Sequence, residues 1–195
     1  MTRLSVNINK IATLRNARGG NFPDLINSAI DIINFGADGI TVHPRPDERH
    51  IKYYDVIELS KILKKEFNVE GNPFAPAVDD YPGFIALVEQ IKPDQCTLVP
   101  DNDSQLTSDH GFELTQSGNA LEPIIRRLKD QGMRVSLFMD PDLEQIKLAS
   151  EIGADRVELY TGPYATAWGS ESAESLFHQH KEAAQLATSL GMGVN

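Results

Sequence analysis

The chain has 195 residues, of which 41% are hydrophobic, and its formal net charge is −10. This length accommodates one domain with a substantial core. The acidic balance argues against general nucleic-acid binding, which needs a basic face to neutralise phosphates. The first residues lack the apolar segment of a signal peptide, and no apolar run approaches the ~20 residues that span a bilayer. We therefore expect a soluble, cytoplasmic protein that binds small molecules and no membrane.

Apolar residues recur in two patterns along the chain, one typical of strands and one typical of helices. Short runs with apolar residues at every second position predict strands, and longer runs with apolar residues three and four apart predict helices. The predicted strands are 4–9, 39–43, 67–70, 95–99, 134–138, 156–160 and a last one that begins at 193. Periodic helices lie between them; Asp55 and Asp140 are predicted to cap two, and a third runs from 173 to 190.

Seven strand starts separated by helices favour a (β/α)₈ TIM barrel over a doubly wound sheet. No Gly-x-Gly-x-x-Gly turn follows the first strand, as a dinucleotide-binding fold would require. A barrel of this kind usually needs roughly 250 residues. We therefore expect a single α/β barrel domain over residues 1–195, with the end of the seventh unit and the whole eighth unit missing from the chain.

Strand alternation predicts a set of polar side chains that face the barrel axis, where barrel enzymes build their active sites. Three of them have structural alternatives. His43 could be a satisfied core imidazole, Glu70 a surface carboxylate, and Glu158 one partner of an interior salt bridge with Arg156 or Arg134. The inward-facing set is Asn7, Asn9, Thr41, His43, Asn68, Glu70, Glu158 and Tyr160.

Basic residues cluster in two short segments that adjoin predicted strand ends, against an acidic background. Scattered solubilising charge is one interpretation. The other is a local site for an anion, because arginine offers paired donors to phosphate oxygens. The cluster comprises Lys10, Arg15, Arg18, Arg45, Arg49 and His50.

The remaining candidates for chemistry are few. Cys96 lies in an apolar run, which favours a buried structural thiol over a nucleophile. A metal site is not supported, because strand one offers asparagines where a His-x-His pair would be wanted. His178 and His180, on the last helix, are expected at the surface. The polar stretch 101–118 is either a lid over the site or a flexible linker.

At these residues the sequence resembles the pyridoxine 5′-phosphate synthase family, barrel enzymes that make the vitamin B6 ring. The resemblance runs the whole length of the chain, and its first two segments are long and specific. The segments are 7–19, 36–50, 98–100, 135–138 and 157–161. It implies a transferase that condenses 1-deoxy-D-xylulose 5-phosphate with 3-amino-2-oxopropyl phosphate, needs neither metal nor organic cofactor, and assembles as a homo-octamer.

The resemblance also implies roles for individual residues. His43 and Glu70 would be the acid/base pair, and Glu158 would stabilise cationic intermediates. Asn7 and Arg18 would hold the amino-ketone phosphate. The deoxyxylulose phosphate would be held by Asn9, Lys10, Arg45, His50 and Thr107.

The chain departs from the family pattern in two places. Many members carry Asp-His where this chain has Asn9 and Lys10. The family also places a catalytic Gly-His pair after strand seven and a phosphate-binding Gly-His turn after strand eight, and we therefore expect the natural protein to continue beyond Asn195. Two alternatives stay open: another phosphosugar barrel enzyme, such as an isomerase or aldolase, or an inactive fragment or assembly subunit.

Overall fold

A computed structural model describes residues 2–102 and 105–195 of the chain. Strands and helices alternate throughout, and the strands follow one another in the sheet in chain order. The strands are β1 (Ser5–Asn7), β2 (Gly39–Val42), β3 (Glu66–Gly71), β4 (Gln95–Leu98), β5 (Arg134–Met139), β6 (Arg156–Leu159) and β7 (Gly193–Val194). The helices are α1 (Asn9–Ala17), α2 (Leu25–Asn34), α3 (Tyr53–Ile62), α4 (Phe84–Ile91), α5 (Leu114–Asp130), α6 (Leu143–Glu151), α7 (Gly162–Ala167) and α8 (Ala173–Ser189).

The predicted α/β class is confirmed, with parallel strand pairs that follow chain order. The chain forms two compact units, one ending at Cys96 and the other beginning at Thr97. A single barrel domain with missing units stays a prediction. Within the described part of the chain, no helix is long and apolar enough to cross a membrane.

In the first unit, β1, β2 and β3 pair in parallel, with Asn7 opposite Thr41 and Thr41 opposite Asn68. The polar residues in register therefore share one face of the sheet. Glycine at position 36 has a φ of +108°, a conformation that other residues rarely adopt, and it ends α2 just before β2 begins. The core of this unit includes Ile8, Ile40, Val42, Leu59, Val69, Phe84 and Leu87, all fully buried.

In the second unit, β5, β6 and β7 pair in parallel, with Ser136 opposite Arg156 and Arg156 opposite Gly193. Helix α5 buries one face, formed by residues spaced three and four apart. The core of this unit includes Leu121, Ile125, Leu128, Val135, Leu137, Ile146 and Val157.

The helices α1 and α7 were not predicted from the sequence. The first strand was expected to extend to Asn9, but the chain turns at Ile8 and Asn9 begins α1. The buried face of α1 consists of Ala12 and Arg15. An arginine on the inward side weakens the apolar period of the sequence, which is why the pattern did not indicate a helix. The short helix α7 has no buried residue and so leaves no apolar pattern at all.

Two predicted helix caps were wrong. Asp55 is the third residue of α3 rather than its cap, and its Oδ2 accepts a hydrogen bond of 2.8 Å from the backbone N–H of Lys52. Asp142, not Asp140, caps α6 by accepting from the N–H groups of Glu144 and Gln145 at 2.8 and 3.0 Å. Asp140 instead accepts from the N–H of Gly111.

Candidate active site

The register of β2 and β3 brings His43 and Glu70 together. Thr41 lies opposite Asn68, so two residues further along each chain the same face carries His43 and Glu70. Nδ1 of His43 is 3.8 Å from Oε2 of Glu70, and both residues are buried. The surface alternative for Glu70 is therefore wrong, because the strand is longer than predicted and its carboxyl end is covered.

Two asparagines support this pair from β1 and α1. Nδ2 of Asn7 donates to Oε2 of Glu70 at 3.4 Å. Oδ1 of Asn9 accepts a 2.9 Å hydrogen bond from the backbone N–H of His43. Asn9 thus acts from the first position of a helix and not, as predicted, from a strand.

His43 is held in its neutral form. Burial, followed by electrostatic interactions with Arg45, His50 and Arg49, lowers the pKa of His43 to about 3. At neutral pH the contact with Glu70 is therefore not an ion pair. A neutral imidazole in this position can accept a proton, and the adjacent carboxylate would then stabilise the cation that forms.

His50 is also neutral, and its tautomer follows from its contacts. Burial, then Arg45 and Arg49, lower its pKa to about 4. Its Nδ1 accepts a 2.9 Å hydrogen bond from the N–H of Ile51, so the ring proton must be on Nε2. The His43 and His50 rings lie edge to face with centroids 6.2 Å apart. His50 therefore offers one N–H donor beside His43.

Part of the predicted basic cluster surrounds these histidines. Lys10, Arg45 and Arg49 each lower the pKa of His50 through their positive charge. Arg45 is itself buried, whereas Arg49 is partly exposed and paired with Asp47 at 2.7 Å. Cations beside neutral imidazoles create a site that favours an anionic group such as a phosphate.

Two members of the cluster lie elsewhere. The guanidinium of Arg15 is buried against Asp55, with hydrogen bonds of 2.5 and 2.8 Å, and is therefore committed to an ion pair. Arg18 is the C-cap of α1 and is exposed; its backbone N–H donates to the carbonyl of Arg15, and the N–H of Gly19 donates to that of Asn16. Sequence patterns gave no sign that Asn16 contacts residues 48–50 or that Asp55 pairs with Arg15, because these partners are more than 30 residues apart in the chain.

Glu158 lies in the second unit, in the middle of β6. Burial raises the pKa of its carboxyl group, and a hydrogen bond from the Asn195 side chain opposes this shift. Nε of Arg156 donates to Oδ1 of Asn195 at 2.7 Å, so the amide nitrogen of Asn195 is the atom left to face acceptors. The carboxyl group of Glu158 therefore holds its proton more tightly than the carboxyl group of an exposed glutamate.

Thr107 lies in the second unit on the segment 99–113. It is exposed, and residues 103 and 104 of the predicted lid lie outside the described residues. The predicted lid was too long, because α5 begins at Leu114 and includes Gly118. The N–H groups of Gly111 and Phe112 bond Asp140 Oδ2 and the Phe138 carbonyl at 3.1 and 3.0 Å, which ties the end of the segment to β5.

His178 and His180 were predicted at the surface, and Cys96 was predicted as a buried structural thiol. Cys96 is buried, and burial raises the pKa of its thiol to about 12, which confirms a thiol that stays protonated. His178 is exposed, as predicted. His180 differs: it is half-buried, and its ring nitrogens lie 2.8 and 2.9 Å from the carbonyl oxygens of Leu176 and Tyr160. The helical spacing of α8 alone could not show that His180 lies beside Tyr160, the residue that follows β6.

Residues 4–195 match the family described as "Pyridoxal phosphate biosynthesis protein PdxJ". Three relatives are each named pyridoxine 5′-phosphate synthase. The one from Cytophaga hutchinsonii is 55% identical over 195 residues, which are 100% of this chain and 79% of the relative. The one from Xanthomonas axonopodis pv. citri is 52% identical and covers 100% of this chain and 77% of its own. The one from Xylella fastidiosa strain M23 is 50% identical, with coverage of 100% and 76%.

Two solved structures share the fold at low sequence identity. A mutant flavocytochrome b2 with benzoylformate has a TM-score of 0.58 and 16% identity, and the match covers 96% of this chain and 50% of that one. An L-ribulose 3-epimerase has a TM-score of 0.53 and 13% identity, with coverage of 87% and 64%. These similarities concern the fold alone.

Proposed function

Because the chain belongs to the pyridoxal phosphate biosynthesis protein PdxJ family, we propose that it is a pyridoxine 5′-phosphate synthase. It would condense 1-deoxy-D-xylulose 5-phosphate with 3-amino-2-oxopropyl phosphate and release phosphate and water, as a transferase. The observation that carries this proposal is the buried, neutral His43 beside Glu70, with cations next to it. Such a site suits proton transfer on a phosphorylated substrate.

The acid/base work falls to His43 and Glu70 in this proposal. Imine formation, dehydration and ring closure each require a proton to be removed at one atom and delivered at another. His43 begins neutral and accepts a proton, and the resulting imidazolium is stabilised by Glu70 and can return the proton later. Asn7, which donates to the same carboxylate oxygen, orients Glu70 for this exchange.

The phosphate groups would be held by the residues that the family resemblance assigns to them. Arg45, Lys10 and the Nε2–H of His50 would bind the deoxyxylulose phosphate. Asn9 would orient that substrate while its Oδ1 holds the His43 backbone. Thr107 would contribute a hydroxyl donor, and Asn7 with Arg18 would bind the amino-ketone phosphate.

Glu158 would stabilise a cationic intermediate and would not bind a phosphate group. Its pKa is raised by burial, so a cationic intermediate that approaches would favour its ionised form and be stabilised in return. The Asn195 amide, which hydrogen-bonds this carboxyl group, would favour the ionised form as well.

A direct assay tests the proposal. The protein is given both phosphorylated substrates, and pyridoxine 5′-phosphate is measured by mass spectrometry. His43→Gln and Glu70→Gln should each lower kcat by roughly 10²–10⁴-fold, the usual contribution of a general acid or base, while Arg45→Ala should chiefly raise KM. A folded protein that forms no product would refute the proposal, and equal small effects in all three variants would refute these roles.

We propose further, from the family resemblance, that the protein works in the cytoplasm as a homo-octamer without a cofactor. Light scattering on the purified protein measures the assembly directly. A monomer at assay concentration would contradict the octamer without bearing on the chemistry.

A further inference from the structure

The segment 48–52, which carries His50, is held by side chains from two helices. In sequence it follows Arg45 and directly precedes α3. In the first unit, Asn16 and Arg15 reach it from α1, and Asp55 reaches it from α3. None of these three side chains is among the residues to which we assigned contact with substrate.

Asn16 contacts this segment through its amide nitrogen. Its Nδ2 lies 2.8 Å from the carbonyl oxygen of His50, 3.2 Å from that of Arg49 and 3.4 Å from that of Glu48. One amide group therefore meets three successive backbone carbonyls. Glu48 has a φ of +51°, a conformation that few non-glycine residues adopt, so the segment needs such external contacts to keep its shape.

The orientation of the Asn16 amide is determined by its neighbour. Its Oδ1 accepts from Nε and Nη2 of Arg15 at 3.1 and 3.0 Å. Because a guanidinium can only donate, the amide oxygen must face Arg15 and the amide nitrogen must face the carbonyls. Arg15 is in turn fixed by its two hydrogen bonds to Asp55 and also donates to the His50 carbonyl at 3.3 Å.

We propose that Asn16 is a positioning residue for phosphate binding: its amide holds the backbone of residues 48–50 so that Nε2–H of His50 points at the substrate phosphate. The backbone position also determines the position of the His50 ring, because Nδ1 of the ring accepts a hydrogen bond from the Ile51 N–H of the same segment. This inference rests on the proposed function for the identity of the substrate. Binding of a phosphate group at His50 does not depend on that identity.

The test compares Asn16→Asp with Asn119→Asp. Asn16→Asp keeps the size of the side chain but replaces the donor with a carboxylate that the three carbonyls repel. Asn119 is exposed in the middle of α5 and makes the matched control. We expect Asn16→Asp to raise KM for deoxyxylulose phosphate by about tenfold or more, which is about 1.4 kcal/mol of binding free energy, with kcat nearly unchanged. The control should change neither value.

A second measurement separates this inference from the proposed function. In nitrogen NMR spectra of histidine-labelled protein, inorganic phosphate should shift the His50 Nε2 signal of the wild type, and Asn16→Asp should weaken this binding by about tenfold. If the wild type makes no product, the proposed function fails, while the phosphate titration still decides the role of Asn16.

Three outcomes would overturn the inference. The first is an unchanged KM and phosphate affinity in a variant that merely melts earlier. The second is a wild-type His50 signal that does not respond to phosphate. The third is loss of folding in both Asn16→Asp and the milder Asn16→Ala, since Asn16 would then be needed for the fold and not for positioning His50.

Discussion

Segments 43–52 and 99–113 both follow the carboxyl end of a strand, and both carry residues predicted to hold substrate, yet they are stabilised in different ways. The first is tied by buried side chains of α1 and α3, including the Arg15–Asp55 pair. In the second, described residues bond one another within the segment, for example Asn102 N–H to Gln105 Oε1 at 2.6 Å. A buried framework preorganises its segment, whereas bonds within an exposed segment add little rigidity.

Each unit contains a titratable group whose pKa is shifted by burial. Burial lowers the pKa of His43 and raises that of Glu158, so in each case the neutral form is favoured. In the proposed function, His43 gains a charge and Glu158 acts in its ionised form.

Asp55→Ala should have the largest effect, because it leaves a buried guanidinium without its partner. The Asp55 carboxylate, which hydrogen-bonds Arg15, raises the pKa of that guanidinium, so Arg15 stays charged. We expect a loss of roughly 3–5 kcal/mol in the free energy of unfolding, measured by urea denaturation. Glu58→Ala, which breaks a surface pair on the same helix, should cost much less. Equal losses in the two variants would contradict the buried framework.

Acid pH should destabilise the protein through His43. Its pKa is about 3 when folded and its ordinary value is 6.5, so between these values the unfolded chain binds a proton that the folded chain does not. The free energy of unfolding therefore falls as pH falls below about 6.5, by at most ~1.4 kcal/mol per pH unit for this group. His43→Gln should reduce this slope in urea titrations between about pH 7 and pH 5. The same slope in wild type and variant would show that His43 titrates normally.

Gly111→Ala should disturb the attachment of segment 99–113 to β5. A Cβ atom at this position would collide with the backbone of Met139 and Asp140, so the segment must move away from β5. We expect a loss of about 1–3 kcal/mol in the free energy of unfolding and faster amide exchange at Phe112. Gly20→Ala serves as the control, because its added Cβ would meet no atom within 4 Å. Unchanged exchange in Gly111→Ala would mean that the attachment is not needed.

Gln105→Ala should have the smallest effect. Its side chain accepts from Asn102 and donates to Asp109 within the exposed segment. We expect less than about 0.5 kcal/mol of change in the free energy of unfolding, as for most surface substitutions. Amide exchange across 105–110 should nevertheless become faster. A loss as large as that of Asp55→Ala would remove the difference between the two segments.

Several features of the site were accessible from the sequence. The alternation of apolar and polar residues placed His43 and Glu70 on the same sheet face, because side chains of a strand point to opposite sides in turn. Parallel strands then bring their carboxyl ends to one edge. The depth of Glu70 was not accessible, since the strand β3 proved longer than its apolar run and burial depends on what packs around it.

The α1 framework shows where sequence patterns fail. Arg15 was counted among the residues of an anion site because it is basic and close in sequence to Lys10. In the structure it is paired with Asp55, 40 positions away, and its buried position conceals the period of the helix. A pattern that treats arginine as a surface residue cannot recognise a helix whose inward face carries one.

The sequence by itself determined the order of strands and helices, the α/β class, and the resemblance that names a family, because these depend on local periodicity and on contiguous segments of chain. Only the tertiary structure decided which charges are paired, which histidines are neutral, and which nitrogen of His50 carries the proton. These properties depend on burial and on partners distant in sequence, and the energy of a charge is determined by its surroundings in space.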